Sequence, residues 1–170
     1  MRPTRLLPIA VLLALLAPAA ASAKVRNVPD VLGSKLGKLT AATPLAVLLP
    51  ETLPFDYGGK LYGAVSGGKR RWSVTIAGDP ACGGANACTL AWLDAQKGGK
   101  PHNTREVPLA NGITGYFAPL SCGGSCSPPS IEFSTGGVLY EIAARVAAKG
   151  RTDRGILKAA ANSAIRHGPR

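Results

Sequence analysis

The chain has 170 residues, 20 of them Lys or Arg and 9 Asp or Glu, for a formal net charge of +11. That length suits one hydrophobic core of ordinary domain size, which is the expectation. The basic balance favours association with polyanions such as anionic wall polymers, lipid headgroups or extracellular DNA, and by itself fixes no partner.

Residues 1–23 read as a cleavable secretory signal peptide. Met1 to Arg5 carry two positive charges, an apolar run broken only by Pro8 follows over residues 6–17, and Ala21, Ser22 and Ala23 supply the small residues a signal peptidase requires. An uncleaved membrane anchor is the competing reading, but a spanning helix needs roughly 20 apolar residues and this run is much shorter. No cysteine follows the run, so a lipoprotein attachment signal is missing. The expectation is a protein in the periplasm, cell wall or medium that begins near Lys24 and stays strongly basic after losing Arg2 and Arg5.

Residues 24–43 carry a weak pattern. Val31, Leu32, Leu36 and Leu39 hint at one helical face, while Gly33 and Gly37 oppose it, which predicts a linker or a frayed helix. The folded domain is expected over residues 44–168. Its first element is a short buried strand at 45–49, confined to a sheet edge by Pro44, Pro50 and Pro54.

Strand-like runs follow at 60–65, 71–77, 89–95, 105–109, 114–119, 130–135 and 138–143, separated by Gly, Pro and Asp signals. In the second run Trp72, Val74 and Ile76 alternate with Ser73 and Thr75, the period of a half-buried strand. In the third, Leu90, Trp92 and Asp94 alternate with Ala91, Leu93 and Ala95, which predicts burial on both faces. Gly136-Gly137 between the last two runs predicts a tight hairpin, because a type I′ turn needs positive φ at both central residues.

The period then changes to that of a helix. Thr152 and Asp153 supply a cap, Ile156, Leu157, Ala160, Ala161, Ala164 and Ile165 form an apolar stripe, and Gly168-Pro169 ends it. Many strands and one closing helix predict an α+β domain, an antiparallel β-sheet of about six to eight short strands with the C-terminal helix packed on one face. A small up-and-down barrel is the alternative.

Four cysteines stand in two close pairs, Cys82 and Cys88, and Cys122 and Cys126. Three connectivities are open to four cysteines, and local pairing across the glycine-rich loops is the simplest in an exported chain. Loops this short contribute about 2 kcal/mol each on the chain-entropy account. A zinc tetrad would require tighter spacing than Cys82 to Cys88. A redox couple would require a helix where Ser127-Pro128-Pro129 stands.

The motifs Leu48-Leu49-Pro50, Leu53-Pro54, Gly115-Tyr116-Phe117, Ser121-Cys122-Gly123-Gly124-Ser125-Cys126-Ser127-Pro128-Pro129 and Ala161-Asn162-Ser163-Ala164-Ile165 resemble those of uncharacterised secreted proteins from actinobacteria and their relatives. The plan of a sheet closed by a C-terminal Ala/Ser-rich helix is also similar to small domains found beside bacterial envelope-stress regulators. The resemblance spans residues 44–168, implies export and the α+β fold, and assigns no catalytic residues.

The chemistry-bearing residues are sparse. His102 reads as a loop residue, and His167 as a complement to the carbonyls at a helix end. The nucleophile string Gly-x-Ser-x-Gly and the phosphate-cradling P-loop string are absent, and no motif implies a cofactor or metal. Asp79, Asp94, Glu106, Glu132 and Glu141 are spread over different elements. Glu132 and Glu141 could face each other across the Gly136-Gly137 hairpin or flank it, as the paired carboxylates of glycoside cleavage, but their alternation with apolar residues places them as solvent-facing strand positions. Trp72, Trp92, Tyr116 and Tyr140 could stack sugars or bases, but with so few aromatics in the chain they read as core.

The leading expectation is a non-enzymatic envelope or secreted module. Lys69, Arg70 and Arg71, joined with Arg145, Lys149, Arg151 and Arg154, are the candidate residues for binding an anionic wall polymer or membrane surface, without specific nucleic-acid recognition. The alternative is an envelope hydrolase in which folding brings Glu132 or Glu141 together with a second acid or His102.

Overall fold

A computed structural model describes residues 23–170, so the signal-peptide assignment lies outside the described residues except for Ala23. The elements are β1 (Lys24–Asn27), α1 (Val28–Leu32), α2 (Ser34–Ala42), β2 (Thr52–Phe55), β3 (Tyr62–Gly67), β4 (Arg71–Ala77), β5 (Thr89–Lys97), β6 (Arg105–Pro108), a 3-10 turn (Ala110–Gly112), β7 (Thr114–Ala118), β8 (Ser121–Cys122), β9 (Cys126–Ser127), β10 (Ser130–Thr135), β11 (Val138–Ala144) and α3 (Asp153–His167). Seven strands form one open antiparallel sheet in the order β3-β4-β5-β11-β10-β7-β6. The fold is α+β, and the sheet does not close into a barrel.

Alternation decides the two faces. Trp72, Val74, Ile76, Ala91, Leu93, Ala95, Ile131, Phe133, Tyr140 and Ile142 are buried on one face, beneath the helices and the strap at residues 44–50. In β5 only one side is core: Trp92 and Asp94 stand half-buried on the opposite face, which corrects the expectation that this strand is buried on both. The other face is left open by the helices.

The β10–β11 hairpin turns at Gly136 and Gly137, whose φ values of 59° and 74° meet the type I′ requirement. Helix α3 is capped as expected. The Thr152 side chain accepts from the Gly155 amide at 3.2 Å, and the Gly168 amide returns to the Ala164 carbonyl at 3.2 Å.

Residues 24–43 are neither a linker nor a frayed helix. Val28, Leu32 and Leu39 are buried in the common core, β1 pairs with β2, and the Asn27 side chain caps α1 by accepting from the Asp30 amide at 2.9 Å. Gly33, with φ of 52°, interrupts the helical run as its sequence position suggests, ending α1 and starting α2, while Gly37 is accommodated inside α2. The chain lies close enough there that Cβ atoms at Gly63 and Gly67 of β3 would meet Leu32 and Ala42 at 2.6 and 2.7 Å.

Residues 45–49 form no strand, although Val47, Leu48 and Leu49 are buried as expected. Their polar backbone is satisfied from the side instead. The Ala46 carbonyl accepts from the Trp72 indole at 3.2 Å and from the Tyr140 hydroxyl at 3.1 Å. Side chains of the sheet thus tie the strap across the core, and the strand in this region falls later, at β2.

Candidate functional site

Both cysteine pairs are disulfides, Cys82–Cys88 and Cys122–Cys126, and no cysteine is free. Their presence places the protein in an oxidising, extracytoplasmic compartment. Consumption of the four sulfurs also removes the zinc tetrad. No helix among the described residues is long and apolar enough to cross a membrane.

The two disulfide loops flank a cleft on the open face of the sheet. Register sets its floor: Trp92 of β5, Ala143 of β11, Ser130 of β10 and Ala118 of β7 lie in one row, which Thr75 of β4 continues beyond the cleft. Small side chains on both sides leave the Trp92 ring as the dominant feature of that row. The next row along the strands is Ser73, Asp94, Glu141, Glu132, Tyr116 and Glu106. Four of the chain's nine acidic residues therefore fall in one line, with neighbouring strands about 4.8 Å apart. In a protein of net charge +11 this concentrates negative potential on one face.

The cleft has a volume of about 390 Å³ and takes Trp92, Asp94 and Glu141 in its floor. Asn86 from the Cys82–Cys88 loop stands at one side, and Ser121 and Ser127, which flank the Cys122–Cys126 loop, stand at the other. Arg145 donates to the Asn86 carbonyl and so ties the first disulfide loop to the chain leaving β11.

The carboxylates of the row differ in their environments. Glu132 is 4% exposed, contrary to its expected solvent-facing position, because residues 100–104 cover it. Its Oε2 accepts from the His102 and Asn103 backbone amides at 2.7 and 2.9 Å, and the His102 Nδ1 lies 3.3 Å from Oε1. Asp94 is bound at 3.0 Å by the Arg71 guanidinium. Glu141, lying between them, has neither kind of partner. Burial raises its carboxyl above the ordinary value, the like charges of Glu132 and Asp94 add to the rise, and the Ser130 hydroxyl and His102 oppose it.

Of the residues singled out for hydrolytic chemistry, the fold brings together Glu132, Glu141, Asp94 and His102 around a small hollow of about 70 Å³. The His102 side chain is 84% exposed at its edge. His167 lies elsewhere, 2.9 Å from Glu51 at the end of α3. Among the described residues no three His, Cys, Asp or Glu side chains are placed to hold a metal ion.

The basic residues do not form one patch. Arg71 is level with Gln96 and Leu139, whereas Arg145 follows the far end of β11 and donates its amide to the Leu90 carbonyl. Six residues along a strand separate the two levels by about 20 Å. Lys69 and Arg70 stay with Arg71 at one end of the sheet, and Lys149, Arg151 and Arg154 follow Arg145 at the other. Several are already engaged: Arg71 with Asp94, Arg151 with the Gly155 carbonyl at 3.2 Å, and Arg154 with the Glu106 carbonyl at 3.0 Å.

Asn86 and Asn103 are the site residues that reading for core and charge passes over, and Trp92, read as core in preference to a stacking surface, lines the cleft half-buried. The alternation in β5 carries the only sequence signal for Trp92, and it does not say which face is open. No family model matches the chain, and neither the curated proteins nor the solved structures yield a match.

Proposed function

We propose that the protein is an exported, non-catalytic binding module of the cell envelope, and that its ligand surface is the cleft over Trp92. The observation that carries this reading is the pairing of a half-buried indole with Glu141, which has neither a guanidinium nor a backbone-amide partner, in one concave floor between two disulfide-tied loops. An aromatic face stacks on the C–H face of a sugar ring and attracts a cation, and a carboxylate accepts from hydroxyl and ammonium donors. Short amide and hydroxyl side chains at the rim suit the same donors. The ligand class supported is a glycan bearing free amines. An anionic polymer receives only the diffuse attraction of the net charge, because the basic residues are divided and the cleft is acidic.

Export is supported by the signal-peptide features, by the oxidised cysteines and by the motif resemblance to secreted proteins. A second reading, glycoside hydrolysis, is favoured by one observation: Asp94 and Glu141 are cross-strand neighbours, and two carboxylates about 5 Å apart are the set of a retaining glycosidase. The engagement of Asp94 by Arg71 and of Glu132 by backbone amides leaves Glu141 without a free partner base, which favours binding over turnover.

Tryptophan fluorescence tests the proposal, since the chain has two tryptophans and Trp72 is only 1% exposed. Oligomers of glucosamine should saturate a change in emission, while dextran sulfate should not. Trp92→Ala and Glu141→Gln should each weaken binding by about tenfold, in line with 1–3 kcal/mol for a lost stacking or charge-assisted contact. Binding unchanged in Trp92→Ala would refute the site. Release of shorter oligomers by wild type and not by Glu141→Gln would establish the hydrolase.

A further inference from the structure

A second cavity lies under the opposite face, at the end of the sheet where the β10–β11 hairpin turns. Its volume is about 580 Å³, within the range of small-molecule sites. Leu45, Leu48, Ile113, Val138, Tyr140 and Ile165 give it apolar walls, supplied by the strap, the segment after the 3-10 turn, the hairpin and α3.

Strand phase explains what is unusual about it. On β5 the core-facing column is Ala91, Leu93, Ala95 and then Lys97, and on β10 it is Ile131, Phe133 and then Thr135. Lys97 and Thr135 thus continue the apolar face with polar groups, and both line the cavity. No carboxylate lines it. Lys97 is exposed, its ammonium makes no ion pair or hydrogen bond among the described residues, and its backbone amide is bonded to the Arg70 carbonyl at 2.9 Å. The Lys69-Arg70 turn therefore stands beside it. Asn111, the one non-glycine residue with positive φ among those described, is also part of the lining.

We propose that this cavity binds a single-chain fatty carboxylate, with the hydrocarbon against the apolar walls and the head group on the Lys97 ammonium. Apolar walls select the chain, and an unpaired cation with no competing acid selects the sign of the head. The site is on the other face of the sheet from Trp92 and does not rest on the function proposed above.

The test uses the chain beginning at Lys24, titrated with dodecanoate below its micelle concentration by calorimetry and native mass spectrometry. One equivalent should bind and raise the melting temperature, as any ligand of the folded state does. Lys97→Glu, at an exposed position, should still melt cooperatively and should weaken dodecanoate by roughly tenfold or more. Dodecyltrimethylammonium should not bind to wild type. Ile113→Trp, which fills part of the cavity from its half-buried wall, should abolish binding while the protein still melts cooperatively. Absence of saturable dodecanoate binding, equal affinity in Lys97→Glu, equal affinity for dodecyltrimethylammonium, or unchanged binding in a folded Ile113→Trp variant would each overturn the proposal.

Discussion

Glu132 and Glu141 face each other across the same two strands and play opposite parts. Glu132 is buried and accepts from the His102 and Asn103 backbone amides, so it holds residues 100–104 against the sheet. Glu132→Ala should lose about 1.5–3 kcal/mol, the range for hydrogen bonds to a charged group, and should speed exchange of the His102 and Asn103 amides. Unaltered exchange at those two amides would show that the loop is held by other contacts. Glu141 carries a raised carboxyl. Its proton is held to higher pH in the folded protein than in the unfolded chain, so its contribution to stability is full below the unfolded pKa and is lost as pH rises through the folded value. Glu141→Gln should therefore stabilise the protein at neutral pH, by about 0.2–1 kcal/mol as for relief of a like-charge cross-strand pair, and should have no such effect in acid below the carboxylate range. Thermal melts of both proteins across that interval decide it. Destabilisation at neutral pH would mean that the ionised carboxylate is held by a favourable contact.

At the scale of elements, the disulfides and the N-terminal helices contribute differently. Each disulfide closes a short loop at the margin of the sheet, with Cα atoms 5.8 and 4.0 Å apart, and neither crosses the core. Reduction should cost about 2 kcal/mol per bond by the loop-entropy estimate, leaving the sheet signal in circular dichroism intact while ligand binding over Trp92 weakens as its flanking loops loosen. Loss of all strand signal on reduction would contradict this. The short helices depend on close approach. A Cβ at Gly67 would meet the Ala42 side chain at 2.7 Å and its backbone at 3.3 Å, so Gly67→Ala should displace the end of α2 and destabilise the fold by about 1–3 kcal/mol. A chemical melt unchanged by this substitution would show that α2 shifts freely.

Over the whole molecule, charge is divided by the sheet. An acidic row crosses its open face, one basic group stands at the hairpin end, and the other stands some 20 Å away beyond β11, by the rise per strand residue. Divided patches act additively. The double substitution Lys69→Glu, Arg70→Glu should reduce retention on an anionic polymer at low salt without abolishing it, and retention should fall steeply toward physiological salt for both proteins. Complete loss of retention would show that the hairpin group alone carries polyanion binding.

Local periodicity by itself determined most of the elements. Strand alternation from Trp72 to Ile76, the Gly136-Gly137 turn, the capped stripe from Ile156 to Ile165 and the two local cysteine pairs each depend on neighbours a few residues away, and each appears in the structure. Residues 24–43 were less legible, because Val28, Leu32 and Leu39 become core only when β3 offers glycines against which two short helices can lie. The strap at 45–49 looked like a strand because burial and strand pairing share one apolar signature, and only Trp72 and Tyr140, bonded to the Ala46 carbonyl, separate them. Glu132 and Glu141 pair across the Gly136-Gly137 hairpin, which their spacing allows, but Asp94 joins them only through the β5-β11 pairing, which links strands distant in the chain and leaves no trace in the sequence. Which face of β5 is open, and hence whether Trp92 is core or binding surface, was decided by where the helices pack, since alternation separates two faces without saying which one the rest of the chain will cover.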